Sequence, residues 1–326
     1  MNISLKFYKL SLALLMSLFF MSCDVDDNNE SYPLPLSTIA EFAANNIDLS
    51  NLAAALNAAD GNLLSLLNGG DYTLLAPNNF AFEIFLGKNG FNSIDEVPKD
   101  ILKNILLNHV ISGTVKSSDL AAAVSGYTST NATNTDGNFL SMYFSTNNGV
   151  VFNGVSTVLN PDIAASNGVM HVVDALIELP IVVTFATANP GFETLVAALT
   201  RDDLSEDFVS ILSTTIEPAP FTVFAPTNEA FSSLFSELGV ESLNDIDTAT
   251  LESTLGTHVV AKANVRSEDL FNGMLITTIG DDLTISVGTG PQLVDLNSRT
   301  ANIIAADIQA YNGVIHVIDN VMLPKL

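Results

Sequence analysis

Tyr72-Thr-Leu-Leu-Ala-Pro77-Asn-Asn-Phe-Ala-Phe82 occurs a second time, little changed, as Phe221-Thr-Val-Phe-Ala-Pro226-Thr-Asn-Glu-Ala-Phe231. Two further blocks follow in the same order. His109-Val110 returns as His258-Val259, and Asn167-Gly168-Val-Met-His171-Val-Val-Asp174 returns as Asn312-Gly313-Val-Ile-His316-Val-Ile-Asp319. The offsets are 149, 149 and 145 residues, and order plus spacing of this kind marks an internal duplication. Upstream, Asn51-Leu-Ala-Ala-Ala-Leu56 pairs with Thr194-Leu-Val-Ala-Ala-Leu199 at an offset of 143. The change of offset places a longer loop near Glu217-Pro218-Ala219-Pro220. Two copies are therefore expected, residues 35–181 and 182–326. That agrees with a prior of about 150 residues per domain. The join at Leu179-Pro180 lacks a Gly/Ser-rich linker, so the copies are expected to sit close together.

Local patterns give the elements. Thr38-Ile-Ala-Glu41 reads as a capping box opening a helix. Leu52, Leu56, Leu63, Leu64, Leu66 and Leu67 belong to short Ala/Leu-rich helical runs. Tyr72–Ala76 and Phe221–Ala225 read as buried strands stopped by Pro77 and Pro226. Asn78/Asn79 and Thr227/Asn228 then cap the helices carrying Phe82 and Phe231. Residues 101–107 continue helically into His109. Asp136-Gly137, Asn148-Gly149, Asn153-Gly154 and Asn167-Gly168 are turn dipeptides between β-rich runs. Helices first and strands later give an α+β class.

Composition excludes several functions. Eleven Lys+Arg against 36 Asp+Glu give a net charge of -25, which is wrong for neutralising phosphates or anionic lipid. Apolar residues at 48% argue for a folded chain. There is no Trp, which weakens a sugar-stacking platform. Cys23 is the one cysteine, so intramolecular disulfides, thiolate zinc clusters and CxxC chemistry are excluded.

Residues 1–22 read as a signal peptide: Lys6 and Lys9, then an apolar run from Leu10 to Met21 that is too short to span a bilayer. Its end, Phe20-Met21-Ser22-Cys23, resembles a bacterial lipobox, although Phe20 stands where Leu is usual. The resemblance implies cleavage before Cys23 and lipid attachment to that residue. Residues 23–34 form a polar tether with Asp24, Asp26, Asp27 and Glu30, which is similar to the surface-export signals of some Gram-negative lipoproteins. A plain solvated spacer is the other reading. Removing Lys6 and Lys9 leaves 9 basic and 36 acidic residues, a net of -27, so the lipid alone would contact the membrane.

The repeated blocks resemble those of the fasciclin (FAS1) domain, across nearly all of residues 35–326. The resemblance implies two tandem domains, each a wedge-shaped β-sandwich flanked by short helices. It also implies adhesion or binding of an extracellular macromolecule, protein or polysaccharide; the lipobox and the export-signal-like tether add the expectation of a cell-envelope protein exposed on the outer membrane. The family often places Tyr before the central His; here Asn108 and Thr257 stand there, and a contact needing that Tyr does not carry over. The family-motif residues Pro77, Asn79, His109, Asn167, Gly168, His171 and their counterparts Pro226, Asn228, His258, Asn312, Gly313 and His316 are read as structural.

All four histidines lie in the repeated blocks. Strand alternation puts His171 on one face with Val169 and Val173, and His316 with Val314 and Ile318, while Asp174 and Asp319 face away. The favoured reading is a neutral, buried His bonded to backbone. A metal would need three or four ligands, and each copy supplies two His and no Cys. Porphyrin held by one His is the competing reading, and with glycan capture it makes small-ligand binding the alternative function; a purely structural envelope role is another. No metal, cofactor or nucleic acid is expected, and no GxSxG, HExxH or P-loop pattern occurs. Residues 131–137 resemble half an EF-hand loop but place Ala132 and Tyr143 at ligand positions. Asp247-Thr248-Ala249 resembles a short bacterial O-glycosylation motif. The polar stretch from Tyr127 to Asn138 is longer than its counterpart near Asn272-Gly273 and is a candidate contact surface.

Overall fold

The computed structural model describes residues 36–59, 63–288 and 290–325. The segments read as a signal peptide and a tether, with Cys23, lie outside the described residues. Residues from Leu36 onward form one compact unit, packed around its own buried clusters. Among the described residues no single helix is long and apolar enough to cross a membrane.

The first repeat begins with helices Ile39–Asn45, Ser50–Ala58 and Leu63–Gly69. Thr38 opens the first with the expected capping box. Strand β1 (Tyr72–Pro77) runs straight into helix Asn79–Asn89, whose N-cap Asn78 accepts from the Ala81 amide. Helix Lys99–Asn108 ends with His109 as its C-cap. Then come β2 (Val110–Ser112), helix Ser117–Ala123, β3 (Ser125–Thr133), β4 (Phe139–Ser145), β5 (Val151–Phe152), β6 (Ser156–Ala165) and β7 (Gly168–Val173). β7 lies parallel to β1, with Tyr72 opposite Gly168 and Leu75 opposite His171. The other pairings are antiparallel, and the seven strands close into a barrel.

The second repeat reuses this order: helices Val182–Ala188, Glu193–Leu199 and Phe208–Ser213, β8 (Phe221–Pro226), helices Asn228–Leu238 and Thr248–Thr257, then β9 (Val259–Ala261). β10 (Leu275–Ile276), β11 (Leu283–Val287), β12 (Pro291–Val294), β13 (Thr300–Ala310) and β14 (Gly313–Ile318) complete it. Here the sheet stays open between β9 and β10. The cause is local. In the first repeat Thr130 of β3 sits opposite Ile111 of β2, and its hydroxyl donates to Asn108 Oδ1 at 3.1 Å. In the second, Thr257 replaces Asn108, and its hydroxyl accepts from the Asp281 amide at 3.2 Å. β10 has two residues where β3 has nine, and the bond from Ile279 N to Val259 O at 2.7 Å bridges the gap without a ladder.

The β3–β4 hairpin joins the repeats. Tyr143 of β4 belongs to the core of the second repeat. Tyr127 packs on it, ring centroids 5.2 Å apart, and meets Phe185 edge-on at 5.6 Å. The Tyr127 hydroxyl accepts from Asn189 Nδ2 at 3.1 Å, and burial raises its pKa to about 12. Ser141 Oγ accepts from the Gln309 amide at 2.9 Å. Asn138 accepts from Arg266 and Asp136 from Asn264, both at 3.4 Å. The stretch from Tyr127 to Asn138, a candidate external contact in the sequence, thus braces the repeats through Tyr127, Asp136 and Asn138, while Thr130, Asn131 and Asn134 bond within the first repeat. Tyr127→Ala is expected to cost about 2 kcal/mol, less than a fully buried aromatic. Calorimetry would check this, the single unfolding transition of the pair splitting into two.

Candidate functional site

The motif residues converge on the seam between β1 and β7, and again between β8 and β14. Asn167 occupies the two-residue turn before β7. Its Oδ1 accepts from the Ile39 amide at 2.9 Å, while its Nδ2 donates to the carbonyls of Leu67 and Gly70. Asn312 repeats this: it accepts from Val182 N at 2.9 Å and donates to Leu212 O and Thr214 O, both at 2.8 Å. These residues do more than turn the chain, because one amide ties the first helix and the end of the third helix to the sheet. Asn79 works likewise, accepting from Asn51 N at 2.9 Å and donating to Ile47 O at 2.9 Å. Asn228 accepts from Thr194 N and donates to Pro190 O, both at 2.9 Å. Pro77 and Pro226 end their strands in register with Val173 and Ile318.

Each histidine has both ring nitrogens engaged by backbone. His109 Nδ1 donates to Ile105 O at 2.8 Å, and its Nε2 accepts from Ile177 N at 2.9 Å. His258 Nδ1 donates to Thr254 O at 2.7 Å, and its Nε2 accepts from Met322 N at 3.0 Å. His171 and His316 have the other tautomer: Nδ1 accepts from the amides of Asp162 at 3.1 Å and Asp307 at 3.4 Å. Their Nε2 donates to Val115 O at 2.9 Å and Val265 O at 2.8 Å. His316 also stacks on Phe224, ring centroids 5.7 Å apart. Burial drives the pKa of His109 and His258 down to about 4, opposed by their bonds to the Ile105 and Thr254 carbonyls. Burial lowers His316 as well. A metal or a haem iron needs a lone pair on the imidazole, and here every such lone pair already accepts an amide. Among the described residues no cluster of three or more His, Cys, Asp or Glu could hold a metal ion.

The sequence did not expose the partners of the strand histidines. Asp162 and Asp307 sit in β6 and β13 with φ of 58° and 59°, a left-handed conformation that Asp tolerates better than most residues. Their carboxylates accept both the amide and the hydroxyl of Ser117 and Ser267. Ser, Asp and His thus meet twice, in the composition of a hydrolase triad but not in its geometry. A triad needs the hydroxyl on imidazole Nε2 and the carboxylate on Nδ1–H. Here the hydroxyl donates to the carboxylate and Nε2 donates to a carbonyl, so the set fastens the loop after β2 onto β7. A signal was present, since Lys116-Ser117-Ser118-Asp119-Leu120 is echoed by Arg266-Ser267-Glu268-Asp269-Leu270.

The remaining candidates are similarly occupied. Asn108 is buried, donating to Ile177 O and Glu178 O. In the half EF-hand, Asn134 Oδ1 turns inward to accept from Asp136 N and Asn138 N. Asp247 is the N-cap of helix Thr248–Thr257, and the Thr248 hydroxyl is held between Asp203 and Arg201.

Residues 47–180 and 190–324 each match the Fasciclin domain family. The chain belongs to that family. The cyanobacterial protein sll1483 of Synechocystis sp. is 38% identical over 145 residues, 44% of this chain and 74% of that protein. Pig transforming growth factor-beta-induced protein ig-h3 is 27% identical over 264 residues, and human periostin 29% over 260; both alignments take in 77% of this chain. They cover only 34% and 28% of those longer proteins. In three dimensions the fasciclin pair is similar to the FAS1 domain pair of the insect cell adhesion molecule fasciclin I, with a TM-score of 0.50 and 18% identity, over 85% of this chain and 97% of that one. The two tandem fasciclin domains thus carry a mixed α+β fold, a barrel-like sheet with flanking helices.

Proposed function

We propose that this fasciclin pair is the binding portion of a lipid-anchored outer-membrane protein, exposed at the cell surface, that attaches to an extracellular macromolecule, protein or polysaccharide. The observation that carries the reading is the doubled fasciclin domain, the arrangement also found in an insect cell adhesion molecule. Supporting it are the lipobox-like Phe20-Met21-Ser22-Cys23, the acidic residues that follow, and a net charge that leaves membrane attachment to the lipid. Porphyrin capture through His109 or His258 is disfavoured, because their nitrogens are already spent on backbone.

The test is antibody labelling of the second domain on intact and on permeabilised cells, for the native chain and for Cys23→Ala. The native chain is expected to label on intact cells, and Cys23→Ala to leave the membrane fraction. Labelling only after permeabilisation would sink the surface role. A Cys23→Ala chain that stays with the membrane would sink the anchor.

A further inference from the structure

A cleft of about 670 Å³ lies between the two repeats, and none of the bracing contacts fills it. The first repeat lines it with Ile84, Ile101 and Val155, which are 51%, 50% and 61% exposed. Thr184 and Tyr311 face them from the second repeat. Single exposed apolar residues need no explanation, but several around one concavity mark a binding surface. Small-molecule sites have this character: a few hundred Å³, mostly apolar, often between domains, with a few placed polar groups.

The placed group here is Asn153, which lines the cleft and is only 3% exposed. Its Oδ1 accepts from the Tyr143 backbone N–H at 2.8 Å, and its own backbone N–H donates to Tyr143 O at 2.9 Å. The first bond settles which end of the side chain is the amine. That Nδ2 has no hydrogen-bond partner, and a buried donor left unpaired is rare in folded proteins. The charged residues at the cleft cancel: Lys88 Nζ meets Glu178 Oε1 at 2.7 Å. The net charge of -25 would repel an anionic amphiphile.

We propose that this cleft binds an uncharged small molecule with an apolar body and a carbonyl-type oxygen. The oxygen accepts from Asn153 Nδ2, and the apolar body covers Ile84, Ile101 and Val155. This site is independent of any macromolecular partner.

Nile red, an uncharged apolar dye with a ring carbonyl, is the probe. Titrated into purified residues 36–326, it is expected to give a saturable 1:1 rise in fluorescence. Ile84→Asp and Ile101→Asp, at half-exposed positions that leave the melting temperature unchanged, should each weaken it at least tenfold. In the nitrogen–proton spectrum the Asn153 side-chain amide protons should move downfield on saturation. Absence of saturable binding, or binding indifferent to both aspartates, overturns the proposal. So does a dimer in sedimentation that Ile84→Asp abolishes, because a second copy would then be the occupant.

Discussion

Gly168→Ala is expected to unfold the first repeat. A Cβ at residue 168 would stand 1.9 Å from the carbonyl oxygen of Tyr72, and one at residue 313 would stand 2.2 Å from that of Phe221. Both obstacles are backbone, so no rotamer change relieves them. Relief requires parting β7 from β1, or β14 from β8, at the point where the parallel ladder begins. That parting breaks the bonds from Tyr72 N to Asn167 O and from Phe221 N to Asn312 O. It also displaces the neighbouring asparagine, which holds two helical segments. A steric clash combined with loss of a buried network belongs to the largest class of single-residue effects, above about 4 kcal/mol. Gly168→Ala should lose hydrogen-exchange protection throughout β1 and β7 while β8 and β14 keep theirs, and Gly313→Ala should do the reverse. Gly87→Ala is the control. Nothing lies within 4 Å of a Cβ there, the position is an exposed helix interior, and alanine should stabilise it by about 0.5–1 kcal/mol. Native protection in Gly168→Ala would refute the close approach.

The duplication, the helix starts and the strand-to-helix joint were legible because each rests on a local rule. Thr38 with Glu41, Asn78 three residues before Ala81, and a proline closing a buried strand all act within a few residues. Burial of His171 and His316 was legible from strand alternation. What escaped was set by contacts distant in sequence. Asn167-Gly168 reads as a turn, and it is one, but the side chain of Asn167 reaches Ile39, 128 residues away. Nothing in the sequence singles out Asp162, yet it joins Ser117 to His171 from a left-handed position that composition does not mark. The stretch from Tyr127 to Asn138 is polar enough to pass for a loop. Three of its side chains instead bond to Arg266, Asn264 and Asn189, which no periodicity could pair with it. The unpaired amine of Asn153 was hidden for the same reason, since Asn153-Gly154 announces only a turn.

Mild acid is expected to destabilise the pair well before its carboxylates titrate. His109 and His258 are buried as neutral rings with pKa values near 4, against about 6.5 in an unfolded chain. Between those values the unfolded chain binds protons that the folded one refuses, so stability falls as pH falls. It is fully present above pH 6.5 and is lost as pH approaches 4. Each unit of difference corresponds to about 1.4 kcal/mol, which gives roughly 3 kcal/mol per histidine and about twice that for both. A domain's whole stability is about 5–15 kcal/mol, so little should remain at pH 4. The carboxylates act in a lower window. Asp162 is held below its usual range: partial desolvation pushes it up, and the bonds from Ser117 more than offset this. Asp203 is lowered by its bonds to Arg201 and Thr248. Relief of charge repulsion from the acidic surface also awaits protonation of these groups, so it cannot compensate higher up. Urea unfolding of residues 36–326 at pH 7.5, 6.5, 5.5 and 4.5 would check the sequence of events. The midpoint should hold between the first two and fall steeply across the rest, while the ring protons of His109 and His258 keep their neutral shifts in the folded state. A midpoint that stays level down to pH 4.5 would mean that these rings accept a proton without leaving their backbone partners.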